Sequence, residues 1–198
     1  MLLEKERKMK RPFNDQPVEE IAPDMLKKDG TVLDIRLKYI ADEGLKFIAN
    51  DERFANLKEL NLERNDITAQ GIKYLAESPF IKGLISLNLE RNNIGDDGVA
   101  VIAQSSNFSN LKSLNLWKCK VGAKAAEELS ISLYLSDLTT LDLAENDLGD
   151  EGAKFLAEAA SLTDLKYLDV VNNKMSPEAI KLLKDSPVLS KVEDLITG

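Results

Sequence analysis

Apolar residues recur along this chain in a frame that repeats every 27 residues. The first half of each unit carries leucines at alternate positions, which is typical of a β-strand with one buried face. In the second half, apolar positions recur three and four residues apart, as they do on the buried face of a helix. The pattern therefore predicts units of strand, turn, helix and return loop. These units start near residues 30, 57, 84, 111, 138 and 165, with a partial unit at 192.

The strand half of a unit follows the frame L-x-x-L-x-L-x-x-N-x-I. The string LNLERN fills residues 60–65 and recurs at 87–92, whereas residues 114–119 read LNLWKC. In the helix half, a glycine or alanine stands four residues before an apolar pair, as Gly71 does before Leu75 and Ala76. A small residue at that position lets one helix lie close to the next.

This frame resembles that of the leucine-rich repeats, and the unit is similar to that of their ribonuclease-inhibitor-like subfamily, over residues 30–198. The resemblance implies a right-handed α/β solenoid, shaped like a horseshoe, with a parallel sheet on its concave side and helices on its convex side. Stacked units share one core that no unit could bury alone. Residues 1–29 are predicted to form an N-terminal tail and a cap, in which Phe13, Val18 and Ile21 cover the first unit.

A column of polar residues follows the strands. Its members are Asn65, Asn92, Cys119, Asn146 and Asn173. Buried amides need hydrogen-bond partners, so these side chains are predicted to hold the backbone of the turns. Cys119 is predicted to be a structural substitute in this column and not a reactive thiol, because no histidine is present to activate it.

Pairs of acidic residues stand before the helix glycine in every second unit. They are Asp42/Glu43, Asp96/Asp97 and Asp150/Glu151. Such pairs could bind calcium, but each lies in the first turn of a predicted helix, where the unpaired N–H groups favour negative charge. We therefore interpret them as capping residues, together with Thr68 and Ser176 as N-caps, and predict no metal site.

Charge and composition limit the functions and locations that the chain can have. The chain has 26 basic and 34 acidic residues, for a net charge of −8, which opposes binding to nucleic acid or to a membrane surface. Residues 1–12 carry five basic and two acidic side chains and are interpreted as a solvated tail, with contact to an acidic partner as the alternative. One cysteine excludes an intramolecular disulfide, so a reducing, cytoplasmic location is predicted.

Strand alternation sends the residues between the leucines outward onto the concave face, where they are free to vary. We predict that a partner protein binds there, through Trp117, Tyr167, Val171, Asp142, Asp169, Asn115, Lys118, Glu63, Arg64, Glu90 and Arg91. Ala144 is expected to share the exposed apolar patch with Trp117. Trp117 itself has two interpretations: an anchor for the partner, or a local cover lying flat against Lys118 and Arg91.

No catalytic constellation, phosphate-binding loop or cofactor motif accompanies these residues. The chain is therefore predicted to be a non-enzymatic scaffold for protein recognition. One alternative is a GTPase-activating protein that places Arg64 or Arg91 near the nucleotide. A second is a bacterial effector that acts in the host cytoplasm. The strand begun by Val192 and Leu195 would offer an edge for self-association.

Overall fold

The computed structural model describes residues 16–198, so the predicted basic tail and Phe13 lie outside the described residues. The helices are α1 (Val18–Met25), α2 (Ala41–Ala49), α3 (Ala69–Ala76), α4 (Gly95–Gln104), α5 (Ala123–Ser130), α6 (Gly149–Ala157) and α7 (Pro177–Lys184). The strands are β1 (Val32–Asp34), β2 (Glu59–Asn61), β3 (Ser86–Asn88), β4 (Ser113–Asn115), β5 (Thr140–Asp142), β6 (Tyr167–Asp169) and β7 (Asp194–Ile196).

The seven strands form one parallel sheet in the order of the chain. Paired residues occupy the same position in successive units, so that Leu60 pairs with Leu87 and Leu87 with Leu114. A helix crosses between each pair of strands, as a parallel connection requires. The sheet forms one layer and the helices the other, with the core between them.

The core is continuous from one unit to the next because every unit contributes the same buried positions. The strand leucines Leu60, Leu87 and Leu114 are almost fully buried. Phe54 and Phe108 fill the space under the return loops. The helix glycines keep neighbouring helices close: a Cβ on Gly98 would lie 2.5 Å from Ile94 Cγ2 and 3.3 Å from the backbone of Ala69.

The predicted asparagine column holds the turns, as expected. The amide of Asn92 donates to the carbonyl oxygens of Leu62 and Leu89, at 2.8 and 2.9 Å. Its oxygen accepts from the backbone N–H groups of Asn65 and Ile67, both at 2.9 Å. One side chain therefore joins its own turn to the preceding one, which explains why asparagine recurs at this position in four units.

The acidic pairs lie in the first turn of a helix, as predicted, but their interpretation as caps is wrong, because no side chain caps these three helices. The first residue of each pair bonds to the next unit instead. Asp42 Oδ1 accepts from the backbone N–H of Thr68 at 2.8 Å. Asp96 Oδ1 accepts from Gly122 at 2.6 Å. Asp150 Oδ1 accepts from Ser176 at 2.7 Å. These aspartates therefore connect successive helix starts.

The two ends of the solenoid differ in what covers them. Helix α1 packs against the first unit and buries Ile21 and Ala22. At the other end, in the edge strand β7, Leu195 is half-buried and Ile196 is 40% exposed. The last unit therefore leaves part of its apolar surface uncovered within residues 16–198.

Candidate protein-binding face

The register of the sheet brings the predicted surface residues into neighbouring columns on the face opposite the helices. Glu63, Glu90 and Trp117 stand at one position of three successive units, just after strands β2, β3 and β4. The backbone ladder continues through this segment, since Arg64 N–H donates to Glu90 O at 2.9 Å and Arg91 N–H to Trp117 O at 2.9 Å. These side chains are therefore displayed from a rigid backbone.

Trp117 lies near the middle of the face and is half-buried. The guanidinium carbon of Arg91 sits 4.5 Å from the centre of its ring, in a cation–π contact. The interpretation of Trp117 as a local cover is correct for Arg91. It is wrong for Lys118, whose ammonium pairs instead with Glu145 at 2.8 Å. The ring is therefore held in place and still keeps part of its surface in solvent.

The apolar patch around Trp117 is smaller than predicted. Ala144, which was expected to face solvent, is only 3% exposed. Its small side chain fits within the face because the larger Trp117 and Val171 stand at the same position in the adjacent units. Val171 is half-buried and has Gly198 close to it. The solvent-facing apolar surface thus belongs to Trp117, Val171 and Tyr167.

Three predicted contact residues also have a structural role that sequence reasoning missed. The side chains of Asn115, Asp142 and Asp169 accept the backbone N–H two residues further on, at 2.8, 3.0 and 2.9 Å. Each bond fixes the chain where the strand bends into the turn. This structural role can be inferred from the sequence, because asparagine and aspartate side chains favour hydrogen bonds to a nearby backbone N–H.

Negative charge collects on this face. Partial burial, followed by repulsion from Glu63, raises the pKa of the Glu90 carboxyl. Burial and the nearby Asp169 raise the pKa of Asp142. Burial, then Asp169 and Asp142, raise the pKa of the Tyr167 hydroxyl. In all three shifts, burial is the largest cause and repulsion from neighbouring acidic groups adds to it.

Positive charge collects at the rim where the strands turn toward the helices. An open groove of about 420 Å³ is lined there by Tyr39, Arg64, Asp66, Arg91, Asn92, Asn93, Lys118 and Lys120. Sequence reasoning found Arg64, Arg91 and Lys118 but missed Lys120. That residue has a positive φ of 62° in the tight turn, which brings it back toward the rim.

Cys119 is not placed to act as a nucleophile. Cys119 is buried, and its thiol donates to Leu89 O at 3.0 Å. Burial raises the pKa of this thiol to about 12. Among residues 16–198, no cluster of three or more His, Cys, Asp or Glu side chains could hold a metal ion. No helix in this part of the chain is long and apolar enough to cross a bilayer.

Comparisons with known proteins agree on the repeat. The family model for leucine-rich repeats matches residues 55–76, 84–103 and 134–157. No curated protein matches the chain. Together with the parallel sheet and its outer helices, the matches confirm the predicted α/β leucine-rich-repeat solenoid.

Two crystal structures from Listeria monocytogenes are similar in fold. Internalin C2 has 25% identity and a TM-score of 0.54, over 79% of this chain and 56% of that one. A second internalin, inlF, has 22% identity and a TM-score of 0.53, over 75% of this chain and 38% of that one. This chain thus spans about half of the first structure and less of the second.

Proposed function

We propose that this leucine-rich-repeat chain is a non-enzymatic scaffold that binds a partner protein on the concave face of its sheet, with Trp117 at the centre of the contact. One observation carries the proposal: a half-buried aromatic ring with part of its surface in solvent stands in the middle of the sheet, stacked on Arg91 at 4.5 Å. Tryptophan and arginine are enriched among residues that dominate binding energy. A ring already fixed by its neighbour loses little conformational entropy on binding.

Two features support a protein as the partner. The surface around Trp117 mixes the apolar side chains of Tyr167 and Val171 with the carboxylates of Asp142 and Asp169, as protein interfaces do. Those carboxylates would also repel a phosphate backbone.

We assign the chain to the ribonuclease-inhibitor-like subfamily and to a cytoplasmic location. The helix in every unit and the pairing of residues 27 apart, such as Ser86 with Ser113, support the first assignment. The single buried thiol of Cys119 supports a reducing compartment.

Affinity capture with the full chain and with Trp117→Ala tests the proposal. If Trp117 is the centre of the contact, its removal weakens the complex by about 2 kcal/mol or more, and the captured partner is lost. Tyr167→Ala alone should weaken capture to a smaller extent if the contact extends along the face. Circular dichroism checks that both variants are folded.

Tyr74→Ala is the matched control. Tyr74 is also a half-buried aromatic residue under a cation, with Lys46 Nζ 5.3 Å from its ring, but it lies on the helix side. The proposal expects this variant to capture the partner as the unchanged chain does. Equal capture by Trp117→Ala and the unchanged chain would overturn the proposal, as would loss only with Tyr74→Ala.

A further inference from the structure

Within residues 16–198, the basic rim groove gathers positive charge on an otherwise acidic protein. Its lining contains four cations, Arg64, Arg91, Lys118 and Lys120, and one carboxylate, Asp66. The whole chain, in contrast, has a net charge of −8. Such local concentration against the overall charge is the electrostatic pattern of a recognition surface.

The backbone holds these cations in a fixed row. Arg64, Arg91 and Lys118 have positive φ angles of 51°, 55° and 55°, in the same tight turn of three successive units. Each donates its backbone N–H to the next unit, Lys118 to Ala144 O at 3.0 Å. The row therefore follows the strand spacing of roughly 4.8 Å, and its three charges cover roughly 10 Å.

Two of the four cations are only weakly engaged within the protein. Arg64 meets Glu63 through Nε at 3.8 Å, beyond hydrogen-bond distance, and its side chain is 43% exposed. Lys120 is exposed and has no ion pair among residues 16–198. Lys118, by contrast, is already paired with Glu145 at 2.8 Å. Arg64 and Lys120 are thus the groups most available to a ligand.

We infer that the rim groove binds an acidic segment of the partner protein, whose carboxylates pair with Arg64 and Lys120 while the adjoining surface packs on Trp117. The inference rests on the proposed function and adds the chemistry of the partner. Arg91 belongs to both regions, since it lines the groove and stacks on Trp117.

A protein segment fits the groove better than a nucleic acid does. The basic row is short, and the adjacent face carries Glu63, Glu90 and Asp142, of which Glu90 and Asp142 already repel nearby carboxylates. A phosphate backbone that continued across this face would meet the same repulsion at each nucleotide. A peptide can place its carboxylates over the groove and uncharged side chains over the face.

Fluorescence anisotropy with the full chain tests this inference. The probe is a fluorescein-labelled peptide of alternating glutamate and serine, compared with the same peptide in which glutamine replaces glutamate. We expect binding of the glutamate peptide alone, weakening as salt is added. The double variant R64Q and K120Q should bind it about fivefold more weakly, the combined effect of two exposed ion pairs.

The matched control is K154Q with K181Q, which removes the same charge from the exposed surfaces of α6 and α7. It should leave the affinity for the glutamate peptide unchanged, apart from a small general effect of net charge. An equal loss with both double variants would show that the peptide responds to net charge, and would overturn the inference. Absence of binding to the glutamate peptide would overturn it too.

A labelled single-stranded DNA of mixed sequence is the competing probe. If it binds the full chain more tightly than the glutamate peptide at the same salt concentration, the groove recognises phosphates and the inference is wrong. Failure here is distinguishable from failure of the proposed function. If the inference alone is wrong, Trp117→Ala still abolishes capture of the partner, although the glutamate peptide binds weakly or not at all.

Discussion

The turns and the helix starts of this solenoid follow different rules. Every complete turn between β2 and β7 has a buried side chain at one position, asparagine in four units and Cys119 in one. The helix starts instead alternate between two kinds. Helices α2, α4 and α6 begin at a left-handed residue and carry an acidic pair, whereas α3, α5 and α7 begin after an extended N-cap.

The difference shows where the repeat is constrained. A turn must satisfy the same buried backbone groups in every unit, because the parallel ladder fixes their positions. A helix start has one backbone N–H that bonds across the unit boundary. Its acceptor can be a backbone carbonyl of the next unit or a carboxylate of the preceding unit. In the first kind, Gly95 N–H donates to Cys119 O at 3.0 Å. In the second kind, Gly122 N–H donates to the carboxylate of Asp96.

The largest expected effect comes from breaking a turn. Asn92→Ala removes three donated and two accepted hydrogen bonds and leaves buried N–H groups on Asn65 and Ile67 unpaired. Each unsatisfied buried group costs about 1–3 kcal/mol, so the free energy of unfolding should fall by about 3 kcal/mol or more. Urea denaturation followed by circular dichroism measures it.

Cys119→Ala is the comparison for that measurement. The thiol donates one short hydrogen bond, to Leu89 O at 3.0 Å. Its removal should cost about 1 kcal/mol, since one hydrogen bond and little volume are lost. Equal losses at Asn92 and Cys119 would contradict the view that the amide holds the turn through its several bonds.

The repeat frame was predictable because its cause is local and periodic. Alternation along a strand places Leu60 and Leu62 on the same buried face. Thr68, just before a predicted helix, is a residue type that favours the N-cap position. The structure confirms both, with Thr68 Oγ1 accepting from Gln70 N–H at 3.2 Å. The predicted sheet and core follow from these same positions.

Contacts between side chains of different units were less predictable. The pattern placed Asp96 in a first helical turn but gave no sign that its carboxylate reaches Gly122, because that depends on how closely two units stack. Ala144 fell on the outward side of its strand, yet neighbouring side chains cover it. The binding role of Trp117 remains a prediction, since burial and stacking describe only the free protein.

Breaking a helix start should have the next largest effect. Asp96→Ala removes the acceptor of the Gly122 N–H, which is 2.6 Å from Oδ1. A hydrogen bond to a charged group contributes about 1.5–3 kcal/mol, so we expect a loss of about 2 kcal/mol. Asp97→Ala is the control, because Asp97 is exposed and pairs only with Lys124, at 3.5 Å. A loss at Asp97 as large as that at Asp96 would argue against a specific link between units.

Exchanging one kind of helix start for the other should have a smaller effect, with opposite signs at two glycines. Gly122 has a φ of −118°, almost the same as the −117° of Thr68. Gly122→Thr should therefore stabilise the protein by about 1 kcal/mol, through a hydroxyl cap and a less flexible unfolded chain. A Cβ there would lie 3.3 Å from Asp96 Oδ2, and a threonine hydroxyl could donate to this oxygen as Thr68 Oγ1 does to Asp42 Oδ2.

Gly95→Thr provides the contrast. Nothing lies within 4 Å of a Cβ at Gly95, but its φ of 62° strains a branched side chain. This variant should lower the melting temperature, whereas Gly122→Thr raises it. The same sign at both glycines would show that the two kinds of helix start are not distinguished by backbone conformation.

The smallest expected effect concerns an aspartate that lies on the sheet and not at a helix start. Because burial and Asp169 raise the pKa of Asp142 above its ordinary 3.8, the folded protein binds this proton more tightly than the unfolded chain does. The contribution of this group to the free energy of unfolding therefore falls as the pH rises through the ordinary pKa and then the raised one, and it is constant above both.

Asp142→Asn keeps an oxygen for the Ala144 N–H, which lies 3.0 Å from Oδ1, and removes the charge. The variant should gain melting temperature over the unchanged protein as the pH is raised from about 3 to about 6. Asp164→Asn, the same change at an exposed position before β6, is the control. A gain that is equal at every pH, or the same in the control, would show that burial and Asp169 do not raise the pKa of Asp142 in the folded protein.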